Sequence, residues 1–197
     1  IQSFTKFDGS SDQKMSYTYS FRGSVNLTAA QVLAVTNGTL PVFTITTDIN
    51  TSTLYSYTGD YLNYSMVLKG MYSALPTGAL TASIQSYTKF DGSSEQKMKY
   101  TYSFKGSAVV NSLGEWGTMT TASPSAFVKD TTGTATINTS TLYKYSGDYL
   151  AYSVVLKGMT EIATETNNIQ SFTKFDGSSD QKMSYNYWCR GCIKITA

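Results

Sequence analysis

Thirteen carboxylates, two cysteines and no histidine are the residues of this 197-residue chain with which chemistry could be done. Lack of His removes the commonest general base and the usual Ser or Cys triads. Pairs of carboxylates alone can hydrolyse glycosides. Eight of the thirteen acids, however, Asp8, Asp12, Asp60, Asp91, Glu95, Asp148, Asp176 and Asp180, sit in short Gly-containing turns that recur along the chain. Acids repeated as turn residues are scaffold chemistry rather than a unique constellation, so no catalytic residue is assigned and the chain is read as not an enzyme.

The same recurrence argues against a metal centre. Each Asp-Gly-Ser-Ser loop is flanked by two carboxylates, Asp8 with Asp12, Asp91 with Glu95 and Asp176 with Asp180. Calcium takes six to eight oxygens, and a plain solvated turn accounts for these residues better. Cys189 and Cys192 form a C-R-G-C sequence. Zinc would need further ligands that a chain without His or other Cys does not have. A redox C-x-x-C opens a helix, and no helical pattern is nearby. The pair is therefore read as a disulfide, local or intermolecular, and a local bond requires Arg190-Gly191 to turn, since an extended strand would hold the two Cα atoms roughly 10 Å apart. No cofactor is expected.

Five of nine asparagines, Asn26, Asn37, Asn50, Asn63 and Asn138, stand in Asn-X-Ser/Thr, which points to covalent glycans and an extracellular address. The chain opens on a strand-like pattern, as expected of a secreted protein whose signal peptide has been removed. A net charge of +2 on scattered Lys and Arg gives no nucleic-acid footprint. No apolar run reaches the roughly 20 residues of a membrane-spanning helix.

The elements that must position these residues are repeats. The stretch 1–24 recurs at 84–107 and 169–192, each copy matching the first at 20 of 24 positions; this is the A unit. A second recurring stretch, the B unit, occupies 49–71 and 137–159, so the plan is A, B, A, B, A. In the first A unit Met15, Tyr17, Tyr19 and Phe21 alternate with polar residues, the period of a half-buried strand, and a Gly-Ser turn precedes them, so the unit is a β-hairpin. The B unit is another, turning at Thr58-Gly59-Asp60 or Ser146-Gly147-Asp148. Leu62, Tyr64, Met66 and Leu68 share its apolar face, with Asn63 on the polar one. Val42 to Thr47 has strand composition. Residues 25–40 include a short helix or loop beginning near a Thr.

Sheets with one apolar face must cover it, and a β-sandwich or small barrel is the economical solution. The expected fold is thus all-β, with two tandem antiparallel sandwich or small-barrel modules, residues 1–83 and 84–168, and a spare terminal hairpin, 169–197. Residues 25–40 and 108–135 differ between the modules in length and composition, as loops on a shared scaffold do. Trp116, in the second, is expected to be a packed anchor.

The third A unit has no B unit after it. Its first 17 residues are identical to the first copy, and then Asn186, Trp188, Cys189 and Cys192 replace Thr18, Ser20, Phe21 and Ser24. Three outcomes are open: B plus the following A makes the module and residues 1–24 are the orphan, the terminal copies pair within one chain, or the uncovered hairpin docks on another subunit. In the third case Met15, Tyr17, Tyr19 and Phe21 on one side, and Met183, Tyr185, Tyr187 and Trp188 on the other, are the assembly-face candidates. The contact would be head to tail and would propagate, with β-augmentation as the bonding mode. In this spare strand segment the chain resembles donor-strand pilins and other self-polymerising β subunits of extracellular fibres. The resemblance implies a homopolymeric structural subunit. The alternative is a secreted glycan-binding or adhesin module with specificity in 25–40 and 108–135.

Overall fold

The computed structural model describes residues 2–24, 26, 28–36, 49–161 and 168–188. Each A unit forms a hairpin: β1 (Ser3–Phe7) with β2 (Met15–Phe21), β5 (Ala82–Phe90) with β6 (Met98–Phe104), and β12 (Ile169–Phe175) with β13 (Met183–Trp188). The loop between the strands is set by its first residue. The Asp8 carboxylate accepts from the Ser10 N–H at 2.9 Å and the Ser10 hydroxyl at 2.7 Å, while the Asp8 N–H donates to the Lys14 carbonyl at 2.9 Å. Asp91 with Ser93 and Asp176 with Ser178 repeat the arrangement. These bonds favour the ionised carboxylate, and at Asp8 the Ser10 N–H is foremost in holding it below the ordinary aspartate range.

The B units are tighter hairpins with two-residue turns, β3 (Ile49–Thr58) with β4 (Tyr61–Lys69) and β10 (Ile137–Ser146) with β11 (Tyr149–Lys157). Three short strands, β7 (Val109–Val110), β8 (Trp116–Met119) and β9 (Phe127–Lys129), lie between the second A unit and the second B unit. One helix, α1 (Ala29–Thr36), follows the first A unit. Thr28 begins it as a reciprocal cap: its hydroxyl accepts from the Gln31 N–H at 3.3 Å, and Gln31 Oε1 accepts from the Thr28 N–H at 2.9 Å. No described helix is long and apolar enough to cross a membrane. The strand expected at 42–47 lies outside the described residues.

The hairpins join edge to edge. The order is β1-β2-β3-β4-β5-β6-β10-β11-β12-β13, every neighbouring pair antiparallel. The register places Lys6, Tyr17, Leu54, Met66, Tyr87, Tyr102, Ser140, Leu156 and Ile169 in one row across nine strands of one face. The neighbouring row on the opposite face is Thr5, Thr18, Thr53, Val67, Ser86, Ser103 and Thr139, half-exposed throughout. The pleat has thus sorted the sequence into an apolar face and a hydroxyl face.

The protein is all-β and antiparallel, as expected, but its strands form an open sheet in place of two closed sandwich or barrel modules. The physical reason lies in the segments between hairpins. Each B unit's second strand pairs directly with the next A unit's first strand, β4 with β5 and β11 with β12, so the sheet continues where closure was expected. Cover for the apolar face comes from Tyr72 and Leu75 after β4, from Trp116 on β8, and from Met159 after β11, all packed against the core. Among the described residues only β7–β9, attached through Ala82 and Ser83 of β5, resembles the second layer of a sandwich. Trp116 is a packed anchor, its ring centroid 5.5 Å from Tyr87, 6.1 Å from Tyr102 and 5.7 Å from Phe104.

Two buried serines fasten the returning chain to the sheet. Ser52 Oγ donates to the Gly70 carbonyl at 2.6 Å and accepts from the Tyr72 N–H at 2.8 Å. Ser140 does the same with the Gly158 carbonyl at 2.5 Å and the Thr160 N–H at 2.9 Å. Gly70 and Gly158 sit at φ +93° and +81°, a backbone region that side chains resist, which lets the chain fold back over the apolar face there.

Candidate assembly interface

The three A units are close to an internal experiment in which one sequence meets different neighbours. In the first, β2 lies between β1 and β3; in the second, β6 lies between β5 and β10. In the third, β13 is hydrogen-bonded on one side only among the described residues. The consequence is in the side chains. Tyr17, Tyr19 and Tyr102 are 6%, 2% and 0% exposed, whereas Met183, Tyr185, Tyr187 and Trp188 are 61%, 46%, 60% and 82% exposed. The hairpin register is unchanged, with Phe172 opposite Tyr187, Lys174 opposite Tyr185 and Phe175 opposite Met183, as Phe4, Lys6 and Phe7 stand opposite Tyr19, Tyr17 and Met15.

Of the assembly candidates, Tyr17, Tyr19 and Phe21 are taken up by the chain's own core and present no free surface, and Met15 is half-buried beside them. Met183, Tyr185 and Tyr187 remain. Trp188 is exposed but stands on the hydroxyl face, opposite Ser171, so it does not belong to the same patch as Tyr187, which stands opposite Phe172. Nor is the terminal hairpin wholly spare: β12 pairs with β11 from Ile169 to Lys174. What is open is the outer edge of β13 and, at the far side of the sheet, the outer edge of β1. These two edges do not meet within the described chain.

Lys14, which the sequence did not single out, shows what an edge of this type binds. Its ammonium donates to the Gly59 carbonyl at 2.9 Å and to Asp60 Oδ1 at 2.9 Å, in the turn of the adjoining B hairpin, and lies 5.9 Å from the centre of the Tyr57 ring. Tyr57 in turn accepts from the Met15 N–H at 3.2 Å. Lys97 repeats this with the Gly147 carbonyl at 3.0 Å, Asp148 at 2.8 Å and the Tyr145 ring at 5.8 Å. The Asp60 and Lys14 charges each favour the other's ionised form through their hydrogen bond. In the third copy Lys182 pairs, among the described residues, with Asp180 of its own loop at 3.1 Å, with both side chains largely in solvent. A signal was present: each A unit has Lys immediately before Met, and both B units turn at Gly-Asp.

The remaining candidates divide cleanly. Asn26, Asn50 and Asn138 are exposed, and Asn63 is half-buried on the hydroxyl face, its Oδ1 accepting from the Lys89 ammonium. Asn37, Cys189 and Cys192 lie outside the described residues. Among the described residues no group of three or more His, Cys, Asp or Glu could hold a metal ion. A search of known protein-family models and of curated proteins finds no match to this chain.

Proposed function

We propose that this chain is a structural subunit of an extracellular filament, glycosylated on its exposed sequons and assembled head to tail by strand complementation between the outer edges of β13 and β1. The observation that carries the reading is the exposure of Tyr185 and Tyr187, whose counterparts Tyr17, Tyr19 and Tyr102 are buried and Tyr100 half-buried where a neighbouring strand is present. Each tyrosine side chain represents about 150–250 Å². Covering the exposed part of both, at about 25 cal/mol per Å², is worth up to about 5 kcal/mol before ordering costs, and main-chain bonds along the edge add to it.

The sheet's topology supports the same geometry. Ten strands alternate in direction along the main path. Because ten is even, a second copy displaced along the sheet offers its β1 antiparallel to β13 of the first, with the apolar faces on the same side. Repetition of that displacement is an open, heterologous assembly.

The test is light scattering coupled to size exclusion, with negative-stain microscopy of the full chain and of Tyr187→Lys. A lysine on the apolar face of an outer strand opposes coverage of that strand. Filaments or oligomers from the wild type that are lost in Tyr187→Lys support the proposal. A monodisperse wild-type monomer at high concentration refutes it, and saccharide affinity in that monomer would favour the glycan-binding alternative.

A further inference from the structure

We infer that Lys182 is the register-setting residue of this contact and that its partner is the Asp8 carboxylate of the next copy; the inference rests on the head-to-tail reading above. Twice within the chain, the lysine that opens an A unit's second strand is fixed by an acidic, Gly-containing turn on the strand added beside it, Lys14 by Gly59-Asp60 and Lys97 by Gly147-Asp148. Lys182 opens the third such strand, and the side on which the turn should sit has no hydrogen-bonded strand among the described residues. Any strand that completes this edge must bring an acidic turn to the end of the sheet where Lys182 lies.

β1 meets that requirement. It runs into Asp8-Gly9, at the same end of the sheet as the β12–β13 loop and the two B turns, since all of these follow odd-numbered positions of one antiparallel meander. An antiparallel register that sets Tyr185 opposite Phe4 of the next copy sets Lys182 opposite Phe7, beside Asp8. That register places Phe4 over the face on which Tyr185 and Tyr187 are exposed, as Leu54 lies against Tyr17 within the chain. Asp8 can serve without unfolding its own loop, because Ser10 binds only Oδ1. A one-residue slip would turn the aromatic rings to the wrong face, and a two-residue slip would move the carboxylate away from Lys182. The ion pair therefore selects among registers that keep the rings correctly faced.

The experiment uses assemblies made from mixed ¹⁴N and ¹⁵N full-length chain, coupled with a water-soluble carbodiimide and mapped by mass spectrometry. Lys14 to Asp60 and Lys97 to Asp148 couplings within one isotope serve as internal standards. A Lys182 to Asp8 coupling joining the two isotopes is the expected result. Lys182→Glu should raise the critical concentration for assembly about fivefold in low salt, and about 0.5 M salt should remove most of the difference. Asp8→Asn, which keeps the Oδ1 acceptor for Ser10, should act in the same direction. Assembly with no such coupling and no response to either substitution overturns the inference while leaving the filament reading standing. Failure of the wild type to assemble overturns both.

Discussion

Replacing Ser52 by Ala removes one oxygen atom and should cost more than most larger substitutions in this sheet. Ser52 is fully buried, and its hydroxyl is at once the donor to the Gly70 carbonyl and the acceptor for the Tyr72 N–H. Alanine fits the space but leaves two part-buried backbone groups without this partner, at about 1–3 kcal/mol each. Some relaxation of the returning chain will recover part of this, so the expected loss is about 2–4 kcal/mol. In a domain of this length that corresponds to a fall in Tm of about 5–15 °C. Ser140→Ala should behave alike, and since the two serines fasten separate segments, the double variant should be additive within about 0.5 kcal/mol. Urea denaturation followed by tyrosine fluorescence and far-UV circular dichroism gives the free energies, with the half-exposed Ser86→Ala on the opposite face as the control. If Ser52→Ala falls within about 0.5 kcal/mol of wild type, as the control should, then the covering segment is not held by this hydroxyl and the account of how the apolar face is closed is wrong.

Alkali should separate the tyrosines. Tyr19 is pushed up to about 12, by burial first and then by Tyr17, and Tyr100 to about 12, by burial and then by the negative charge of Glu161; burial raises Tyr87 and Tyr102 as well. Because the folded state holds these phenols protonated, their contribution to stability is intact below the unfolded value of about 10 and is lost as pH rises from there through about 12. Absorbance at 295 nm should show a late ionisation step that coincides with loss of the sheet signal; ionisation of all tyrosines in a single step near 10 with the fold intact contradicts this. Glycan mapping after expression in a glycosylating host should find Asn26, Asn50 and Asn138 more fully occupied than Asn63, whose amide is half-buried and bonded to Lys89. Equal occupancy at all four would contradict that reading of accessibility.

The hairpins were legible because local pattern and tertiary outcome agree. Alternation over Met15 to Phe21 predicts β2, and Tyr17, Tyr19 and Phe21 are indeed buried on one face. The Thr expected near the start of a short helix or loop is Thr28, which caps α1 together with Gln31. The open sheet was not legible, because closure depends on which segment covers which, and the covering residues have no period to read. Tyr72, Leu75 and Met159 are isolated apolar residues in irregular chain, and β7 to β9 span two to four residues each, too short for alternation to register. Ser52 and Ser140 were hidden for a different reason: in a strand rich in Ser and Thr, nothing local distinguishes a buried fastening hydroxyl from one that faces water.

The candidate interface was legible only in part, and the third A unit shows why. Met183 to Tyr185 repeats Met15 to Tyr17 residue for residue, yet Tyr185 is nearly half-exposed where Tyr17 is buried. The shared side chains differ in this way through what lies beside them among the described residues, β3 beside Tyr17 and no hydrogen-bonded strand beyond Tyr185. On the head-to-tail proposal, the same comparison says what chemistry the added strand would need. Lys14 and Lys97 both bind a carbonyl and a carboxylate in one turn, an arrangement that a hydrocarbon surface could not supply and that a flexible acidic tail would supply without the carbonyl's fixed position. A β-strand ending in an Asp-Gly turn supplies both, and β1 with Asp8-Gly9 is such a strand on the chain's own opposite edge.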